Sequence, residues 1–314
     1  MRNLTACGLA LVVLVLAAVA VGGGAPPTPP ASRPAVQDGS GHRFACTDYT
    51  GGKVFIVDAA GKVEWEYPAK TCNDLWVLAN GNLLFNDGRT AKEVSRDKKI
   101  VWQYDGKSEI YACQRLADGK TFVAECGTGR LLEVDEKGAV AKEVKLLPDG
   151  AAGGPAYMRN ARKLENGNYL VAHYGLDVVR EYDSAGGAAK VVWEVKAAGG
   201  PHSAVRLKNG NTLIACADNN KLPGRVFEVD KAGQTVWEVK GEELPGVSLK
   251  FMAGLERLDN GNTVLCNWLG HGALGTTADI VEVTPDKKVV WRFFDHVTMK
   301  TVSSIYLLDA AGQH

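Results

Sequence analysis

Apolar and polar residues alternate along this chain in short runs, and the runs come in fours. Ser203–Lys208 (SAVRLK), Thr212–Asp218 (TLIACAD), Arg225–Asp230 (RVFEVD) and Thr235–Lys240 (TVWEVK) form one such quartet. The period of two, with β-branched and aromatic enrichment, predicts strands. Asn-Gly-Asn joins the first two runs and Lys231–Gln234 (KAGQ) the last two, both hairpin signals. The first turn recurs as LANGNLL at Leu78–Leu84, LADGKTF at Leu116–Phe122, LENGNYL at Leu164–Leu170, LKNGNTL at Leu207–Leu213 and LDNGNTV at Leu258–Val264. Its glycines Gly81, Gly119, Gly167, Gly210 and Gly261 are 38, 48, 43 and 51 residues apart. Four-strand units repeated at that period predict a β-propeller.

The second hairpin sets the blade count. VDAAGKVEWEY (Val57–Tyr67), VSRDKKIVWQY (Val94–Tyr104), VDEKGAVAKEV (Val134–Val144), YDSAGGAAKVVWEV (Tyr182–Val195), VDKAGQTVWEV (Val229–Val239) and VTPDKKVVWRF (Val283–Phe293) mark six blades. Trp65, Trp102, Trp193, Trp237 and Trp291 share one place in the outer strand, with Lys142 there in the third blade. A residue repeated in five of six units is expected to pack between blades, where a tryptophan contributes at most ~4–6 kcal/mol. The first unit lacks an inner strand, because Arg43–Tyr49 (RFACTDY) already reads as a second strand. Val302–Asp309 (VSSIYLLD) resembles the missing piece. The expectation is an all-β, six-bladed propeller of four-stranded antiparallel blades over residues 42–314. The C-terminal strand completes the first blade and closes the ring, removing open sheet edges.

Lys+Arg and Asp+Glu number 36 each, so the chain has no net charge to attract a nucleic acid. Arg2, the apolar run Leu9–Val21 and the small-residue pattern Ala18-Val19-Ala20 predict a signal peptide over residues 1–25. The run is short for a span of ~20 residues, so export to the periplasm or outside the cell, with no membrane span after cleavage, is expected. Residues 26–41, rich in Pro, Ser and Gly, read as a linker. Six cysteines remain beyond Cys7, and an exported protein can oxidise them. Cys113 and Cys126 flank the Asp118-Gly119 turn and form the expected disulfide; free buried thiols are the alternative. A monomer is expected.

In a propeller the inner strands line a central channel, and the loops at one face carry function. At that face the second strands end on Asp48, Asp87, Glu125, His173, Cys216 and Asn267, polar or ligand-capable in every blade. The inner strands start at Asn73-Asp74, Tyr111, Arg159-Asn160, His202-Ser203 and Ser303-Ser304. Three readings of this bowl stand open. One is a structural polar network. The second is a metal ion, with His173, His202, Cys216 and Cys266 as zinc or copper ligands, or Asp48, Asp87 and Glu125 for calcium. The third is catalysis, with His202 as nucleophile or general base beside Arg159 and Asn160. His271 sits in a Gly-rich loop, Trp268–Asp279, read as a lid or a flexible insertion. The ligand is expected to be a small molecule or a protein at this face.

The hairpins Asp58–Glu66 (DAAGKVEWE) and Asp230–Glu238 (DKAGQTVWE) resemble the repeat of quinoprotein-like (pyrroloquinoline-quinone-type) propellers, from Phe44 onward. The resemblance implies the repeat and not the cofactor. Quinone dehydrogenases of this kind usually have eight blades and a disulfide between adjacent cysteines, and this chain has six units and no Cys-Cys pair. Pro201–Leu213 (PHSAVRLKNGNTL) followed by Val226–Glu238 (VFEVDKAGQTVWE) resembles bacterial arylsulfotransferases, exported six-bladed propellers. That resemblance implies that His202 carries a sulfuryl group, assisted by Arg159 and Asn160. The other blades lack a histidine at that position, and the chain has no room for that family's additional N-terminal domain.

Overall fold

A computed structural model describes residues 36–217 and 222–314 of the chain. The signal-peptide reading lies outside the described residues, as does most of the linker. Six antiparallel sheets stand around a ring, each ordered inner, second, third and outer strand. Blade 2 starts at Leu75–Val77, blade 3 at Ile110–Arg115, blade 4 at Ala161–Lys163, blade 5 at Pro201–Arg206 and blade 6 at Phe251–Leu258. Tyr174–Leu176, a single 3-10 turn, is the one helical element among the described residues. No helix among them is long and apolar enough to cross a membrane.

Blade 1 is assembled from both ends of the chain. Val302–Leu307 is its inner strand and pairs with Phe44–Asp48, placing Leu307 opposite Phe44 and Ser304 opposite Thr47. Two further pairings were not expected. Val36–Gly39, read from sequence as part of the linker, adds a fifth strand to the outer edge of blade 6. Gly312–Gln313 pairs with the inner strand of blade 6 at Leu258 and Arg257.

Blades join through a repeated device. A third-strand glutamate opposite the outer tryptophan, or opposite Lys142 in blade 3, pairs with a cation of the next blade. The pairs are Glu93–Arg115 at 2.6 Å, Glu133–Lys163 at 3.0 Å, Glu181–Arg206 at 2.7 Å, Glu228–Arg257 at 2.9 Å and Glu282–His42 at 2.9 Å. The residue after the turn glycine steadies the same carboxylate. Asn82, Asn168, Asn211 and Asn262 donate to Glu93, Glu181, Glu228 and Glu282 at 2.6–2.7 Å. Those turns need the left-handed backbone that glycine adopts freely: Gly81, Gly167, Gly210 and Gly261 lie at φ 83°, 89°, 87° and 90°. Blade 3 has Lys120 after its glycine, and there the Tyr169 hydroxyl donates to Glu133 instead, at 2.7 Å.

The tryptophans add the second half of the latch. The indole N–H of Trp65, Trp102, Trp193 and Trp237 donates to a turn carbonyl of the following blade, at Arg96, Asp135, Lys231 and Pro285, over 2.9–3.0 Å. Trp291 meets the Gln37 side chain instead, at 2.7 Å, and Gln37 relays it to the Asp58 carbonyl of blade 1. Blade 3, with Lys142 in place of tryptophan, stacks Lys142 and Lys163 on the Tyr169 ring.

The expected Cys113–Cys126 disulfide does not form, and all six cysteines of the ring are free and buried. The strand register explains it. Cys113 faces Val123, not Cys126. The Cys126 amide instead bonds the Glu109 carbonyl, beyond the end of its strand. The two thiols also enter different inter-blade cores.

At the seam between blades 6 and 1 the cation is a histidine. His42 bridges Glu282 and Asp309 at 2.9 and 3.0 Å, its ring edge-on to Trp291. The hydrogen bond to Glu282 raises its pKa most, against the opposing effect of burial. A raised folded-state pKa stabilises below the unfolded value of about 6.5 and is lost as pH rises through the folded value. The melting temperature of the wild type is therefore expected to fall as pH rises from about 6 to about 8, and that of His42→Gln to change less. Identical pH profiles for the two proteins would contradict this role.

Candidate functional site

The inner strands deliver one or two side chains from every blade to a cavity of about 270 Å³ at the mouth of the ring. Ser303 comes from blade 1, Asn73 from blade 2, Tyr111 from blade 3, Arg159 from blade 4, His202 from blade 5, and Phe251 with Ala253 from blade 6. Tyr49, Trp268 and His271 complete the aromatic wall, with Pro155 at the rim.

Phe251 is the hub of the apolar side. Its ring lies 5.0 Å from Trp268, 5.6 Å from His202, 6.1 Å from Tyr174 and 6.2 Å from His271, centroid to centroid. The Trp268 and His271 rings meet edge-on at 4.9 Å. Arg159 lies over Tyr111 at 5.1 Å and over Tyr174 at 4.7 Å, and donates to the Tyr111 hydroxyl at 2.8 Å. Burial raises the Tyr111, Tyr49 and Glu109 pKa values, keeping the phenols neutral. His202 is buried. Desolvation first, and the Arg159 charge second, lower its pKa to about 3, so the imidazole is neutral at physiological pH. Its Nδ1 is 3.4 Å from the Ser203 hydroxyl.

The expected trio is split. Arg159 and His202 line the cavity. Asn160 is buried beside it, and its backbone N–H donates to the His202 carbonyl at 3.1 Å, tying blade 4 to blade 5. Asp74, next to Asn73, is held by both terminal nitrogens of Arg162 at 2.7 and 2.8 Å and by the Cys113 amide. Arg162 lines a separate cavity at the opposite end of the ring.

The six strand-end residues do not line the mouth. Each fastens neighbouring loops or strands instead. Asp48 accepts from the amides of Gly51, Lys300 and Thr301, at 2.8–3.0 Å. Asp87 accepts from the Lys70 amide and Lys92. Glu125 is clasped by Arg130, Thr128, Tyr104 and the Lys107 amide. Both His173 nitrogens are engaged, with the Tyr157 carbonyl and the Tyr182 hydroxyl at 2.8 Å each, and burial lowers its pKa to about 4. The Cys216 thiol reaches the Ala197 carbonyl at 3.6 Å, and burial raises its pKa to about 12. Asn267 accepts from the Lys250 amide and donates to the Ser248 and Ala278 carbonyls.

The reason is the pleat. Successive side chains of a strand point to opposite sides, so a one-residue offset exchanges the two sets. One residue further on stand Tyr49 and Trp268, whose rings line the mouth, and Tyr174, whose ring backs Phe251 and Arg159. Among the described residues no three His, Cys, Asp or Glu side chains converge on a common point. Cys266 is buried in the core between blades 6 and 1.

The loop after Trp268 is shaped around its ring. A Cβ on Gly270 would lie 1.8 Å from the indole, and His271 holds a left-handed φ of 54°. Gly270→Ala is expected to push Trp268 out of the wall, shifting its fluorescence while the melting temperature drops by only a few degrees. An unchanged emission spectrum would show that the loop does not set the indole.

No family model matches the chain, and no curated protein does. Among solved structures it resembles a Bacteroides caccae protein of unknown function at TM-score 0.76 and 29% identity, over 86% of this chain and 100% of that one. A chain of a nidogen/laminin complex matches at TM-score 0.61 and 12% identity, over 85% and 97%. Virginiamycin B lyase from Staphylococcus aureus matches at TM-score 0.54 and 12% identity, over 83% and 88%. The chain is a six-bladed β-propeller with four-stranded antiparallel blades.

Proposed function

We propose that this is an exported, monomeric propeller that binds a small organic molecule in the cavity at the ring mouth. The observation that carries the reading is the convergence there of Tyr49, Tyr111, Phe251 and Trp268 with a few polar groups from different blades. A concave, ring-walled cavity with few polar groups is the usual form of a small-molecule site. The rigid ring supports preorganised binding, since the walls stand on strands tied to their neighbours. Export rests on the N-terminal sequence pattern, and kinship with quinoprotein-like repeats on the Asp-x-x-Gly hairpins. A protein partner at the same face is the alternative occupant.

Single-ring aromatics provide the test. Phenol and benzamide are expected to bind saturably, read by titration calorimetry, and Phe251→Ala to weaken both by about tenfold through lost ring contact. An absence of saturable binding to the wild type would remove the small-molecule reading.

A second reading, sulfuryl transfer through His202, is favoured by the neutral imidazole beside the Arg159 charge. A nucleophile needs its lone pair free, and the guanidinium would offset charge gathering on the transferred group. Incubation with an aryl sulfate donor and a phenol acceptor would then give transfer that His202→Ala abolishes. No turnover by the wild type would exclude this chemistry.

A further inference from the structure

Arginine charge below the surface of this ring is neutralised locally, with one exception. Eight arginines other than Arg159 are buried or half-buried among the described residues, and each lies within ion-pair distance of a carboxylate. Arg130 on Glu125, Arg162 on Asp74 and Arg206 on Glu181 are examples, at 2.7–2.8 Å. This follows from the cost of desolvating a cation without a counter-charge. Arg159 is half-buried and breaks the rule: no carboxylate among the described residues forms an ion pair with it. Glu109 feels its charge, but burial acts more strongly on that carboxyl, and no ion pair joins the two.

What surrounds Arg159 is informative. Tyr111 and Tyr174 lie against the guanidinium, and the Tyr111 hydroxyl takes one N–H of Nη1. Ring contacts use the faces of a guanidinium, whereas hydrogen bonds to anions use its edge. The two tyrosines thus fix the plane of the group while leaving edge N–H donors for a ligand. His202 adds no competing charge, because its imidazole is neutral. Next to this cation the cavity turns apolar, at Phe251 and Trp268. At about 270 Å³ it falls just below the ~300 Å³ at which drug-sized pockets begin, so its occupant is about one ring in size.

We infer that the ligand of the ring mouth is a small organic anion, a flat body of about one ring bearing a carboxylate whose oxygens take the free edge of Arg159. The inference rests on the proposal that the mouth is a small-molecule site, and it adds the sign of charge and the residue that selects it. A cationic ligand, which aromatic rings alone would favour, is repelled by Arg159.

Three probes of matched shape separate the outcomes: benzoate, benzamide and benzylamine, titrated calorimetrically into the wild type and Arg159→Gln. Benzoate is expected to bind the wild type about ten- to a hundredfold more tightly than benzamide, the range of a charge-assisted hydrogen bond. Benzylamine is expected to bind more weakly than either. Arg159→Gln should abolish the preference for benzoate over benzamide. The wild-type comparison needs no variant, so a folding defect in Arg159→Gln leaves it intact. Benzamide or benzylamine binding as tightly as benzoate would overturn the anion inference and leave the cavity reading standing. A benzoate preference that survives in a folded Arg159→Gln would place the anion elsewhere and overturn the inference. Binding of none of the three would remove both.

Discussion

A propeller blade has no core of its own. Each sheet buries one face against the next, so the last blade must be joined to the first or two apolar faces stay wet. Here the joint is a strand pairing between chain segments more than 250 residues apart, Val302–Leu307 on Phe44–Asp48. The core around that seam draws on Phe44, Trp291, Phe293, Val302 and Ile305, all buried. Burying an aliphatic side chain is worth ~1.5–3 kcal/mol, so opening the seam exposes more than a domain's usual net stability. The other seams draw on two devices, a glutamate shared with the next blade and an indole N–H given to its turn, and blade 3, with Lys142 in place of tryptophan, uses the glutamate alone. Blade 1, with Ile56 where the others carry glutamate, relies on the indole alone at that place.

The closed ring is what makes the mouth a site. Its wall residues come from six sheets, so their spacing is set by the ring and not by any single loop. Arg159 illustrates the consequence. Its guanidinium is positioned by a tyrosine of blade 3 and by Tyr174 at the end of its own blade's second strand, and it approaches His202 of blade 5 closely enough to lower that imidazole's pKa. A carboxylate in the same place would have turned the group into one more inter-blade latch. Aromatic partners leave it charged and available.

Much of this architecture was legible in the sequence, because its signals are local and repeated. The Asn-Gly-Asn turns and the outer tryptophans reported their own geometry, and the mismatch between the first and last units identified the closing strand. The inner-strand starts were legible for the same reason, with Asn73, Tyr111, Arg159, His202 and Ser303 all reaching the mouth. The second-strand ends misled by one residue. Asp48, Glu125 and Asn267 catch the eye as polar residues in apolar strands, yet that polarity serves loop amides and an arginine. The rings that do face the cavity, Tyr49 and Trp268, sit one step on and look like ordinary core. Counting the pleat outward from the turn glycine would have found them. His271 was beyond such counting, since it sits on the loop after Trp268, and Phe251 opens the blade 6 inner strand, whose start carries no polar residue to mark it. The Cys113–Cys126 expectation failed because symmetry about a turn in sequence is not register in a hairpin.

Every wall of the mouth depends on ring closure, and removal of residues 302–314 tests that closure most directly. Loss of the cooperative thermal transition is expected for the whole protein, with the near-ultraviolet circular dichroism of the tryptophans collapsing even in blades 4 and 5, at Trp193 and Trp237, far from the cut. A truncated protein that melts cooperatively at the wild-type temperature, with its tryptophan signals intact, would contradict it.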